Sequence, residues 1–261
     1  MPYASFRRIL VATDFGIAAR HALSDASRLA QGFGAEVDVV HVLPARKEAT
    51  AHPKVAARLE QVTRELIPDP IVRRSTISYG SAAETILYVA ERSGADLIVI
   101  GAGDQARHSV TGPTAETVAR FAALPVWVSR PIGPERISSV MCALNASPGS
   151  REALRVALLL RERFSAKLEL AHVCEEDSPA PDREVSALEK ELAERGVADL
   201  PLHVAKGRAS DELYRMAGER QVDVMVMGRS SGGLRRVFLG GTAERLLRRL
   251  PAALLLTTPR A

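Results

Sequence analysis

The stretch Asp223-Val224-Met225-Val226-Met227-Gly228-Arg229-Ser230-Ser231-Gly232-Gly233 decides how the rest of the chain is read. A short apolar run closed by glycine signals a buried strand, and further on Ala243, Leu246, Leu247 and Leu250 recur at helical spacing. The segment is therefore strand, glycine loop, helix, and Gly240-Gly241-Thr242 puts small residues just before the helix. A loop of this kind brings backbone N–H groups and a helix N-terminus to the carboxyl end of a strand, where they can hold an anion. It is not a Walker loop, because no Gly-Lys-Ser/Thr follows. Nor is it the dinucleotide Gly-x-Gly-x-x-Gly pattern in its usual place after a first strand.

Working outward, the same strand occurs earlier as Asp96-Leu97-Ile98-Val99-Ile100-Gly101, offset by 127 residues. Leu168 to Val173 repeats Val37 to Val42, and Val140 to Asn145 repeats Ile9 to Asp14, both offset by 131. Such steady offsets indicate an internal duplication. In the first copy, strands are expected at 8–12, 37–43, 71–77, 97–100 and 126–128, with helices at 17–33, 53–66, 82–92 and 114–121. Strands alternating with helices of this length imply βαβ units on a parallel sheet with right-handed crossovers. The segment 130–136 holds Pro131, Gly133 and Pro134 and reads as a linker, so the expected domains are 1–131 and 137–261.

Composition narrows the function classes. The 261 residues are 46% hydrophobic and 25% charged, as in an ordinary globular protein. No apolar run approaches the roughly 18 residues that a membrane helix needs, and the N-terminus lacks a signal-type segment, so a cytoplasmic location is expected. The net charge of +4 is spread along the chain and aromatic content is only 4%, which leaves few platforms for stacking bases; no nucleic-acid partner is expected. Cys142 and Cys174 cannot form a disulfide framework and read as buried thiols. His41 and His172 end matching strands, but no Cys-x-x-Cys or His-x-x-x-His spacing accompanies them, so no metal site is expected. Glu175-Glu176-Asp177 reads as a solvated loop, and Arg245, Arg248 and Arg249 as the outer side of an amphipathic helix.

In an open parallel sheet, ligands sit beyond the carboxyl ends of the strands where the strand order reverses. Two loops of each copy should meet there. The candidates in the first copy are Asp14, Val42, Gly101 and Gly112; in the second they are Asn145, Ser147, Val173, Gly228, Ser230, Gly240, Gly241 and Thr242. Asp14 or Asn145 would hydrogen-bond a base or ribose, main chain near Val42 or Val173 would form a wall, and the glycines would admit phosphate to backbone N–H groups.

At these residues the chain resembles the universal stress protein family in its duplicated form. The shared features are an Ile-Leu-Val-Ala-x-Asp first strand, a His-Val ending the second, an Asp-Leu-Ile-Val-x-Gly fourth strand, and an Ala-Glu pair opening the fourth helix. The architecture expected is α/β: two tandem doubly wound domains, each a five-stranded parallel sheet with four helices and strand order 3-2-1-4-5. The family's nucleotide-binding members carry Gly-x-x-Gly, nine residues, then Gly-Ser/Thr. That resemblance implies ATP as ligand, and leaves open whether magnesium accompanies it. Neither copy keeps the motif whole. The first has Pro113 where the hydroxyl residue belongs, and Asp104 beside the expected phosphates. The second keeps a nine-residue spacer from Ser231 to Leu239, a displaced hydroxyl at Thr242, and Arg229, Arg235 and Arg236 as added charge, with Asn145 in place of the family Asp. The second copy is the favoured site.

The function expected is a stress-response regulatory module with an adenine nucleotide in its second domain and a protein partner of unknown identity. The alternative is a nucleotide-free interaction protein with degenerate loops. No nucleophile has an adjacent base, so no catalytic residue is named and at most slow ATP hydrolysis is expected. The fifth strands, around Val126 to Val128 and Ala253 to Leu256, are apolar edges. By resemblance to single-domain relatives they would pair, making the chain its own pseudo-dimer, with a further homodimer open.

Overall fold

The computed structural model describes residues 5–45, 52–103, 111–131, 133, 135–145, 147–232 and 236–258. The chain divides into two compact units, Met1–Gly133 and Pro134–Ala261.

The first unit runs β1 (Arg8–Ala12), α1 (Ile17–Phe33), β2 (Glu36–Leu43), α2 (His52–Leu66), β3 (Val72–Tyr79), α3 (Ala82–Ser93), β4 (Leu97–Gly101), α4 (Pro113–Phe121) and β5 (Val126–Ser129). The strands lie in the order β3-β2-β1-β4-β5 and every pair is parallel. The order reverses between β1 and β4, which pair Val11 with Val99. Ile9, Leu10, Val11, Leu97, Ile98 and Val99 are buried, the unbroken apolar reading of strands covered on both faces. Helix α1 lies on β1 and β4 through Ala18, Ala19, Ala22, Ala26 and Ala30, whose small side chains let helix and sheet approach closely. The one tryptophan, Trp127, is buried with its indole Nε1–H donating to Asp25 Oδ2 at 2.9 Å. Arg28 donates to the other Asp25 oxygen at 2.6 Å, so this buried carboxylate is paired.

The second unit repeats the plan as β6 (Ser139–Leu144), α5 (Pro148–Phe164), β7 (Lys167–Cys174), α6 (Pro181–Glu194), β8 (Leu202–Lys206), α7 (Ala209–Glu219) and β9 (Val224–Gly228). It closes with a small hairpin, β10 (Ser230–Gly232) and β11 (Arg236–Phe238), then α8 (Gly241–Arg249) and β12 (Ala253–Thr257). Its parallel order is β8-β7-β6-β9-β12. On β7 the buried Glu169 meets Lys167, with Arg220 and His203 each 3.3 Å away. Burial alone would raise its pKa, but the Lys167 hydrogen bond and the charges of Lys167, Arg220 and His203 outweigh it and hold the carboxyl below its ordinary range.

Elements fall close to their expected positions, with shifts at ends. Strand β3 runs to Tyr79 rather than stopping at Ile77, and α4 starts at Pro113, a position where the missing N–H costs nothing. The exposed arginines of α8 behave as expected: Arg249 stacks over Tyr214 at 3.8 Å and pairs with Asp211 at 2.8 Å, and Arg248 pairs with Glu244 at 3.4 Å.

Candidate functional site

In the second unit, β6 and β9 lie side by side, and their carboxyl ends open onto a cavity of about 980 Å³. Asn145 and Ser147 follow β6, His172 and Val173 end β7, Met227 and Gly228 end β9, and Gly240 and Thr242 stand at the start of α8; all of them line it. Six of the eight second-copy candidates therefore meet at one place. Ser230 and Gly241 are not among the lining residues described: Ser230 is paired with Phe238 in the hairpin, and Gly241 faces Arg245 at the first position of α8.

The hairpin changes how an anion could be held. Ser230, Ser231 and Gly232 pair antiparallel with Phe238, Val237 and Arg236, so much of the loop backbone bonds to itself instead of converging on a ligand. The Arg229 N–H is likewise taken by Thr257 O at 2.9 Å. Among the described residues, the first turn of α8, whose N–H groups have no intrahelical partner, remains for an anion. Gly240 caps this helix at φ −64°, ψ 154°, and a Cβ there would meet nothing within 4 Å.

Arg229 does not supply charge to the cavity. It is fully buried, hydrogen-bonds Thr258, and desolvation lowers its pKa to about 10. Arg235 and the side chain of Arg236 lie outside the described residues, as does Asp104. Gly228 also has a reason for being glycine that involves no ligand. A Cβ there would lie 2.2 Å from the carbonyl carbon of Gly149 in the first turn of α5, and one on Gly149 would lie 2.4 Å from Arg229 O.

Asn145 is committed on one side. Its Oδ1 accepts from Ser147 N–H at 3.1 Å, Ser147 Oγ at 2.5 Å and Ser150 Oγ at 2.7 Å. With the carbonyl oxygen so engaged, the amide –NH₂ is the end left for a ligand, so the residue offers donors and not the acceptor that Asp would present. The loop after β7, expected to be merely solvated, contributes Glu175, Asp177 and Ser178 to the wall, together with Glu184 and Glu191 of α6.

The first unit has the equivalent cleft, lined by Asp14, Val42, Gly101, Gly112, Pro113 and Thr114, but its volume is about 270 Å³. Gly101 abuts the backbone of Ala18, 2.5 Å from where a Cβ would stand. The Gly112 N–H already donates to Ala102 O at 2.5 Å, and Pro113 has no N–H, so two donors of this helix start are lost. Phe15 packs against His41 with ring centroids 4.4 Å apart and the planes tilted by 31°, and Arg58 lies 4.6 Å above Phe15. The duplicated position of Phe15 in the second copy is Ala146, and there the matching His172 lines the cavity.

Sequence reasoning missed one group. His172, Cys174 and Glu184 bring a ring nitrogen, a thiol sulfur and a carboxylate oxygen within 4.8 Å of one another. The strand-end histidine was the available signal; Glu184 comes from α6 and no spacing announces it. Burial, then the charges of Glu184 and Asp182, push the Cys174 thiol pKa up, and burial pushes that of Cys142 far up.

Compared with known proteins, residues 5–130 and 137–257 each match the Universal stress protein family. A universal stress protein from Archaeoglobus fulgidus DSM 4304 shares the fold over 97% of this chain and 98% of its own, at 18% identity and a TM-score of 0.73. A functionally unknown protein from Pseudomonas aeruginosa PAO1 does so over 97% of this chain and 93% of its own, at 20% identity and a TM-score of 0.76. The search of curated proteins returned no match. Among the described residues no helix is long and apolar enough to cross a membrane.

Proposed function

The chain belongs to the universal stress protein family, as a tandem member with two copies of the domain, and from that premise we propose that its second domain binds an adenine nucleotide, ATP in the first instance, as a regulatory ligand. The observation that carries this reading is the asymmetry of the two clefts. The second has about 980 Å³ and an α8 N-terminus opening onto it at Gly240 and Thr242. The first has about 270 Å³, below the usual range of ligand pockets, with its helix start closed by Gly112 and Pro113. The triphosphate would meet the α8 amides, where the helix dipole favours negative charge. The base or ribose would lie between Asn145 and the Val173 main chain, with the Asn145 amide donating to a ring nitrogen or a ribose oxygen. The lining carboxylates would repel free phosphates, which favours a magnesium-complexed nucleotide.

Occupancy would be read by a protein partner in the cytoplasm, a reducing compartment that suits two free buried cysteines. The first domain, with its smaller cleft, acts as the structural half. The test is to denature the purified chain and chromatograph what is released. Adenine nucleotide in near-stoichiometric amount supports the proposal. A chain that releases none and also fails to take up ATP with magnesium is the nucleotide-free interaction protein.

A further inference from the structure

We propose that His172 Nε2, Cys174 Sγ and the Glu184 carboxylate form a site for a zinc-class divalent cation on the wall of the second unit's cavity. His172 is 5% exposed and its Nδ1 lies 3.0 Å from Leu144 O. A carbonyl oxygen only accepts, so Nδ1 carries the hydrogen and Nε2 of the neutral ring presents a lone pair. Among the described residues that buried Nε2 has no hydrogen-bond partner, yet Glu184 Oε2, another acceptor, stands 3.6 Å from it. Two acceptors facing each other across that gap, with a thiol sulfur beside them, are what a cation between them reconciles.

The donor set and the spacing both fit. Imidazole, thiolate and carboxylate are the three ligand types zinc takes, and metal–ligand distances of about 2.0–2.3 Å put tetrahedral ligand atoms roughly 3.3–3.8 Å apart. The His172–Glu184 pair is already at 3.6 Å, and all three atoms lie within 4.8 Å, so closure needs about 1 Å from the half-exposed Glu184 side chain. The supporting contacts are in place as well. The Leu144 carbonyl orients the histidine ring, and Ser178 Oγ donates to the other Glu184 oxygen at 2.5 Å. His172 and Glu184 line the cavity, so a three-ligand metal would keep its fourth position towards it.

The first unit acts as an internal comparison. Its His41 makes the same Nδ1 contact, 2.7 Å to Thr13 O, but Leu43 occupies the position of Cys174 and Phe15 covers the ring. Among the described residues, the thiol and carboxylate accompany only the histidine that lines the larger cavity.

This proposal does not rest on nucleotide binding, and its test uses metal alone. Strip the full chain with chelator, remove the chelator, and titrate with Co²⁺ while recording the absorption spectrum. One equivalent should bind with a thiolate-to-cobalt charge-transfer band and visible bands of tetrahedral intensity, and Zn²⁺ should displace it. Cys174→Ser should abolish the charge-transfer band while Cys142→Ser, on the neighbouring strand, keeps it. Glu184→Gln, at a partly exposed position that folding tolerates, should weaken Co²⁺ binding by at least about tenfold. Binding without a thiolate band, a band that survives Cys174→Ser, or no uptake at micromolar Co²⁺ overturns the proposal; the last would leave His172 and Glu184 as an imidazolium–carboxylate pair.

Discussion

Replacing Gly228 by Ala tests whether the strand end and the first turn of α5 are packed backbone against backbone. The added Cβ would sit 2.2 Å from the Gly149 carbonyl carbon, 2.3 Å from its oxygen and 2.8 Å from its Cα. Carbon atoms rest about 3.5–4.0 Å apart, so helix and strand must separate by more than about 1 Å. No flexible side chain can swing aside, since all three of these obstacles are main chain. Overpacking of this kind costs about 1–3 kcal/mol and occasionally more; for a main-chain clash the upper end, about 3 kcal/mol, is expected. With a urea m-value of about 1–3 kcal/mol/M, the unfolding midpoint should fall by at least about 1 M. Far-UV circular dichroism is the assay, because the one tryptophan belongs to the first unit and the substitution to the second. Gly240→Ala is the control: its Cβ enters open space at a backbone conformation any residue adopts, and the midpoint should move by less than the equivalent of about 0.5 kcal/mol. A Gly228→Ala protein as stable as the parent would refute the close approach and the placement of α5 that fixes the cavity wall.

Trp127→Phe removes the indole donor from the buried Asp25 and should cost about 1.5–3 kcal/mol in urea unfolding, while an unchanged midpoint would mean that Arg28 alone satisfies the carboxylate. Glu169 carries a depressed folded pKa, so its pairing stabilises the protein above the unfolded glutamate value of about 4.3 and is lost as pH falls through the folded value. The stability gap between the parent and Glu169→Gln should therefore be widest near neutrality and narrow as the solution is acidified below about pH 4; a gap independent of pH would contradict this assignment.

The parallel sheet was legible because β1, β4, β6 and β9 are unbroken apolar runs and because the offsets of 131 and 127 expose the duplication. The hairpin of β10 and β11 was not, since its strands have three residues each and too few positions for any period to register. Asn145 after β6, Val173 near the end of β7 and Gly240 before α8 could be placed at the cleft from the sequence, whereas the saturation of Asn145 Oδ1 by Ser147 and Ser150 is a matter of side-chain geometry. That Gly228 must also be glycine to clear the Gly149 main chain was not legible, because the contact joins elements far apart in sequence. The meeting of Glu184 with His172 and Cys174 is tertiary in the same way, produced by how α6 returns over β7.

Calorimetric titration of ATP with magnesium into the full chain and two variants tests most directly the proposal that the second unit's cleft holds an adenine nucleotide and the first does not. Gly240→Val puts bulk into open space at the α8 start, and Gly112→Val adds it at the α4 start, where the Cβ meets only ordinary contacts, 3.6 Å to Ala102 O and 3.9 Å to Gly103 Cα. One saturable site per chain is expected, abolished by Gly240→Val and unaffected by Gly112→Val. No binding to the parent, or a site lost with Gly112→Val and kept with Gly240→Val, would contradict it.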